Sequence, residues 1–187
     1  ENLSISDKWI LTKLNKTIET VRKHMEKYEF NVVGSELYSF IWDDFCDWYI
    51  ELAKINMNDT TKSVLLHTLT AIIKMLHPFM PYVTEEIYGM LPIKDAKSIM
   101  ISAYPYYDEN LVFPETGLDD IIELITKIRK AKLENKIGND FVIATYGNEI
   151  IENSKDILAR MTKCQNFVNT YEGEFTNLDI AFMDSKI

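Results

Sequence analysis

The sequence predicts a mainly α protein, an up-and-down helical bundle followed by a small α+β subdomain. Three observations predict it. Four successive stretches before Pro92 repeat apolar side chains at helical spacing, with short connections between them. Prolines and an Asn/Asp-rich turn fall where those helices should stop. Beyond residue 110 the pattern changes, and helical and β-branched segments alternate. We therefore divide the chain into a bundle at residues 1–110 and a subdomain at residues 111–187.

The first helix is expected over residues 7–28. Ser6 and Asp7 offer a cap, and Ile10, Leu14, Ile18, Val21 and Met25 follow at its period. Residues 28–33 form a connection, and a second helix is expected over 34–55. The run Asn56-Met57-Asn58-Asp59 reads as a turn, because Asn and Asp tolerate left-handed backbone. Leu65, Leu69, Ile72, Ile73 and Leu76 mark a third helix over 62–77, ended by Pro78. Pro81 suits the first turn of a fourth, with Glu85 and Glu86 near its positive end, running to about Leu91. Ile99, Met100 and Ile101 read as a short extended segment before an irregular linker. A fifth helix over 118–135 is broken by Gly138. Residues 141–146 read as a strand, 149–162 as a helix and 178–183 as a second strand.

Composition narrows the function. At 187 residues the chain can bury a sizeable core, and 47% hydrophobic with 26% charged residues is ordinary for a globular protein. Cys46 and Cys164 are far apart with no C-x-x-C, so neither a disulfide framework nor a zinc site is expected, and a reducing cytoplasm fits. No apolar run is long enough to span a membrane. A net charge of -9 argues against nonspecific nucleic-acid binding, since Lys and Arg neutralising phosphates supply most of that affinity. The sequence also contains no phosphate-binding glycine loop, no dinucleotide fingerprint and no H-E-x-x-H. His77 stands at a helix end without a partner at catalytic spacing and is read as structural. A helix beginning within a few residues, with no initiator Met, reads as a piece of a longer protein.

The most informative stretch is residues 36–54, E-L-Y-S-F-I-W-D-D-F-C-D-W-Y-I-E-L-A-K. On an α-helical wheel Leu37, Ile41, Phe45, Trp48 and Leu52 share the core side, with Asp43, Asp47, Ile50 and Lys54 opposite. Ile50 is an aliphatic residue among charges, either a lone surface hydrophobe or a contact platform. Trp48 is assigned to packing, and Trp42 is left open. Lys13, Lys16, Lys23 and Lys27 share an arc of the first helix, either solvated or meeting a sugar-phosphate backbone. Lys127, Arg129, Lys130, Lys132 and Lys136 form the densest basic run, with the same two readings.

The run F-I-W-D-D-F-C-D-W-Y-I-E-L-A-K and the later L-H-P-F-M-P-Y-V-T-E-E-I-Y resemble the anticodon-binding domain of the class I valyl-tRNA synthetases. The H-P-F-M-P-x-x-T-E-E motif is shared with isoleucyl and leucyl relatives, and W-D-D-F-C-D-W-Y points to the valyl branch. The resemblance covers residues 3–105 well and 118–137 more loosely. It implies the class I anticodon-binding bundle, valine tRNA as partner, neither DNA nor membrane, and a cytoplasmic monomer joined to the rest of a synthetase chain. ATP and Mg would belong to the parent's catalytic domain, since the activation signatures H-I-G-H and K-M-S-K-S are missing and no cofactor is expected here. It further implies that Ile50 lines an anticodon base, with Asp47, Glu51, Lys54 and Asp43 at base edges or ribose. Lys16, Lys23, Lys27, Arg129 and Lys130 would contact phosphates. Isoleucyl or leucyl membership, and a non-enzymatic helical interaction module, are the alternatives.

Overall fold

The structure, a computed structural model, describes residues 3–114, 116–139, 141–144, 149–164, 166–168, 181–182 and 185–186. It forms two compact units, Glu1–Pro114 and Glu115–Ile187. The division falls four residues beyond the boundary expected from composition.

The first unit is helical throughout. Helix α1 spans Ile5–Glu26. Its cap is Ser4 rather than Ser6: Asp7 N–H donates to Ser4 Oγ, and the Asp7 carboxylate accepts from Ser4 N–H. This is a capping box, two orphan donors satisfied reciprocally. Residues 30–53 are helical without a break, but in three parts: α2 (Phe30–Ser39), a π-helical segment (Phe40–Tyr49) and α3 (Ile50–Ala53). Helix α4 (Asp59–Leu76) is capped by Asn58, whose side chain accepts from Thr61 N–H at 2.8 Å. Helix α5 (Pro81–Met90) carries Pro81 in its first turn, where a missing N–H costs nothing.

The π-helical segment changes which residues are buried. Its i→i+5 hydrogen bonds, such as Ile50 N–H to Phe45 C=O, put more residues in each turn. The core positions become Leu37, Phe40, Phe45, Tyr49 and Leu52. Ile41 and Trp48, which the α-helical wheel placed in the core, are only half-buried.

The sequence motifs around α5 are explained by hydrogen bonds. Thr84, buried, donates to Met80 C=O at 2.8 Å and lies 2.7 Å from His77 Nδ1, tying the end of α4 to the start of α5. Glu85 accepts from Ser98 Oγ and Ile99 N–H. Those bonds hold residues Ile99–Ile101 as a 3-10 turn, not the extended segment expected from their apolar character. Ile99 then packs with Ile73, Tyr88 and Leu91. Asn15 pins the following segment, donating to Leu111 C=O and accepting from Asp108 N–H.

The second unit opens with α6 (Leu118–Glu134), entered through Gly117 at φ 69°. A Cβ there would also crowd Ile150 Cγ2 at 3.3 Å, so a side chain at this position would be strained. Strand β1 (Val142–Ala144) is followed by α7 (Glu149–Asn153) and α8 (Lys155–Thr162), two helices where one was expected. Strand β2 (Asn166–Val168), not anticipated, pairs in parallel with β1 in the register Ile143 to Phe167. Strands β3 (Ala181–Phe182) and β4 (Ser185–Lys186) pair antiparallel. Residues 145–146, 178–180 and 183 of the expected strands lie outside the described residues. Leu118, Ile121, Leu124, Ile125, Ile151 and Leu158 form the interior of this unit.

Candidate functional site

The outward face of residues 38–54 is held in place by a buried carboxylate. Asp7, fully buried, accepts from Tyr49 Oη at 2.7 Å, Ser4 Oγ at 2.7 Å and Thr61 Oγ1 at 3.1 Å. This knot ties the start of α1 to the end of the π-helical segment and the start of α4. Burial, and then the Asp7 carboxylate, push the Tyr49 hydroxyl pKa well above its ordinary value, so Tyr49 remains a donor at any physiological pH.

With Tyr49 turned inward, the exposed positions over residues 38–54 are Tyr38, Ser39, Trp42, Asp43, Asp47, Glu51 and Lys54. Asp43 accepts from Ser39 Oγ at 2.8 Å, and Lys54 Nζ lies 2.5 Å from Glu51 Oε1. The sequence-predicted residues Asp43, Asp47, Glu51 and Lys54 therefore do share one face. Ile50 stands at its margin and is half-buried, not stranded among charges as the α-helical wheel had it. The reason is the phase of the π-helical segment, which brings Ile50 closer to the core side.

Two aromatic residues join the face. Trp42 and Tyr38 are 51% and 64% exposed, with ring centroids 6.3 Å apart in an edge-to-face arrangement. Sequence reasoning left Trp42 open and passed over Tyr38. Their spacing of four puts them on one side of a helix, but an α-helical wheel sets Tyr38 beside Phe45 of the expected core side, so only the structure shows both rings exposed. The face carries three carboxylates and one paired lysine, so it suits hydrogen-bond donors on base edges and ribose hydroxyls, and it repels phosphate.

The rest of the exposed positive charge lies elsewhere. Lys16, Lys23 and Lys27 are exposed along α1 and enter no ion pair among the described residues. Lys13 departs from their arc: it is half-buried, 3.6 Å from Asp44. In the second unit Arg129 donates through Nε and Nη2 to Met161 C=O at 3.1 and 2.8 Å, and Lys132 donates to Thr162 C=O at 3.0 Å. Both side chains cap the end of α8. Lys127 pairs with Glu123 at 2.7 Å, while Lys130 stays exposed, 3.9 Å from Glu134.

A cavity of about 250 Å³ lies between α1, α4 and residues 103–111. Lys74 and Asp95 in its lining are paired at 2.8 Å, Asp108 accepts from Asn110, and it brings together none of the predicted site residues.

The family described as the anticodon-binding domain of tRNA ligase matches residues 7–146. The chain is 47% identical over 166 residues to a valine–tRNA ligase of Staphylococcus haemolyticus (strain JCSC1435), covering 84% of this chain and 19% of that protein. It is 49% identical over 142 residues to a valine–tRNA ligase of Staphylococcus aureus (strain MRSA252), covering 71% and 16%. The chain thus spans less than a fifth of the length of these relatives. Taken with a helical unit that turns a polar and aromatic face outward, the match places this chain in the family of anticodon-binding domains of tRNA ligases.

Proposed function

We propose that the chain is the anticodon-binding part of a valine–tRNA ligase, and that the face over residues 38–54 takes the anticodon loop of valine tRNA. What carries the reading is this face, on a domain of the anticodon-binding family, in a chain nearly half identical to valine–tRNA ligases. The parent enzyme joins valine to its tRNA at the expense of ATP, with ATP and Mg held by its catalytic domain. The protein works in the cytoplasm as a monomer, with tRNA and the remainder of the synthetase as its partners.

The mechanism is one of positioning. Unpaired loop bases splay out and rest on Trp42, Tyr38 and the half-buried Ile50. Asp43, Asp47 and Glu51 accept hydrogen bonds from exocyclic amines or 2′-hydroxyls, and Lys54 donates. Lys16, Lys23, Lys27 and Lys130 meet phosphates, holding the stem so that the distant acceptor end reaches the catalytic domain.

Binding of the chain to valine tRNA, a non-cognate tRNA and a valine tRNA with an altered anticodon, at two salt concentrations, tests the reading. Preference for the cognate RNA that disappears with the altered anticodon is expected. Equal affinity for all three, or binding of none, overturns it. The acidic face and net charge of -9 favour a second reading, a protein-interaction module, which predicts binding of none.

A further inference from the structure

The far end of α1 carries a second surface. Residues 24–29 close α1 in a Schellman motif: Tyr28 N–H donates to Met25 C=O at 3.1 Å and Glu29 N–H to His24 C=O at 3.0 Å. The position that glycine usually fills is taken by Tyr28, at φ 57°. A left-handed backbone is costly for any residue with a Cβ, and such strain marks functional positions more often than chance. Burial does not offset the cost, because the Tyr28 side chain is 80% exposed.

Its ring is instead the first of three in edge contact. Tyr28 and Phe30 lie 6.1 Å apart at 89°, and Phe30 and Phe79 lie 6.2 Å apart at 76°. Phe30 and Phe79 are 47% and 42% exposed, although they come from different helix connections. Lys23 on α1 and Lys27 at its C-cap, with the exposed Glu26 between them, lead into this cluster. Glu29, the carboxylate beside it, is occupied by His24 Nδ1 at 2.5 Å.

Exposed π-faces next to unengaged ammonium groups are what single-stranded nucleic acid needs: stacking for the base and charge for the phosphate. A paired stem offers only its backbone, and a protein partner would have no call for a strained, exposed tyrosine beside two lysines. We infer that Tyr28, Phe30 and Phe79 form a stacking platform for unpaired RNA nucleotides, distinct from the face over residues 38–54, with Lys23 and Lys27 at the phosphates where the stem passes into those nucleotides.

Tyr28 and the Ile50 margin lie at opposite ends of α1, whose 22 residues span about 33 Å, while Tyr38 is eight residues, about 12 Å, along α2 from Phe30. The Ile50 margin is at one end, because Tyr49 bonds Asp7, and Tyr28 is at the other. The platform and the Ile50 margin are therefore too far apart to hold the same nucleotide. The inference rests on the proposed RNA-binding function and adds a second contact to it.

Tyr28→Gly tests it in the full chain, using an unstructured oligouridine and a fully paired RNA duplex as probes. The variant should unfold at a temperature no lower than the wild type, because glycine accepts the left-handed backbone. It should bind oligouridine about tenfold more weakly, with duplex affinity unchanged. Phe79→Ser should give the same loss of oligouridine binding. Unaltered oligouridine affinity in both variants overturns the platform. So does a concentration-dependent self-association of the wild type that Tyr28→Gly abolishes, since the rings would then be packing against a second copy. The anticodon preference of the wild type is read separately, so either idea can fail while the other stands.

Discussion

Tyr49 is a residue whose role no helical wheel assigns. Its hydroxyl satisfies a carboxylate with no access to water, so removing it leaves a buried charge one donor short. Tyr49→Phe should destabilise the first unit by about 1.5–3 kcal/mol, the range for a hydrogen bond to a charged group; urea denaturation followed by circular dichroism measures it. On the outward side the expectations reverse. Trp42→Ala should leave the unfolding temperature within about 2 °C of wild type, because an exposed substitution away from special features changes little. Valine tRNA binding should weaken about tenfold, as loss of one stacked base would cost. Ile50→Asp weakens binding too, but with some loss of stability, since the side chain is half-buried. A Trp42→Ala chain that binds tRNA normally would remove the stacking role.

At the scale of the element, segment type was legible and phase was not. Helices α1, α4, α5 and α6 follow from apolar spacing and proline placement, because amphipathic periodicity and a missing N–H act locally. The widened turn over Phe40–Tyr49 has no such signature, and it moves the core from Ile41 and Trp48 to Phe40 and Tyr49. Charge was similarly ambiguous. Arg129 and Lys130 are neighbours in a basic run, yet the fold gives them different work. Arg129 supplies two donors to the last turn of α8, whereas Lys130 reaches solvent. Arg129→Ala should therefore destabilise the second unit by about 1–3 kcal/mol, read by thermal unfolding. Lys130→Ala should leave stability alone and make tRNA affinity less sensitive to salt, lowering the log–log slope by about 1.

Across the whole molecule, acidity sets how RNA can be held. With a net charge of -9, the proposed RNA contact leaves attraction to phosphate local to Lys16, Lys23, Lys27 and Lys130. Four contacts predict that log affinity for tRNA falls with log salt at a slope of about -3; titrations between low and physiological salt measure it. A slope near zero would mean that base contacts alone hold the RNA. Acid stability follows from Asp95. The Lys74 ammonium first, then the Tyr88 hydroxyl, hold its carboxyl well below the usual carboxylate range. Its folded pKa is depressed, so its stabilisation is present above the unfolded value of about 3.9 and fades as pH falls below it. Asp95 is half-exposed, so the effect is under about 1 kcal/mol. Asp95→Asn should flatten the stability curve below about pH 4.

The sequence by itself determined the helical class, the order and approximate limits of the helices, the turn motifs around Pro78 and Pro81, and the family. Each depends on neighbours within a few positions along the chain. Only the tertiary structure decided that Phe40 and Tyr49 turn inward in place of Ile41 and Trp48, that Ile50 sits at a margin, that Arg129 is committed to the fold, and that Tyr28 meets Phe30 and Phe79. These depend on groups distant in sequence meeting in space, above all a buried Asp7 that draws Tyr49 inward and so sets which side chains remain outside.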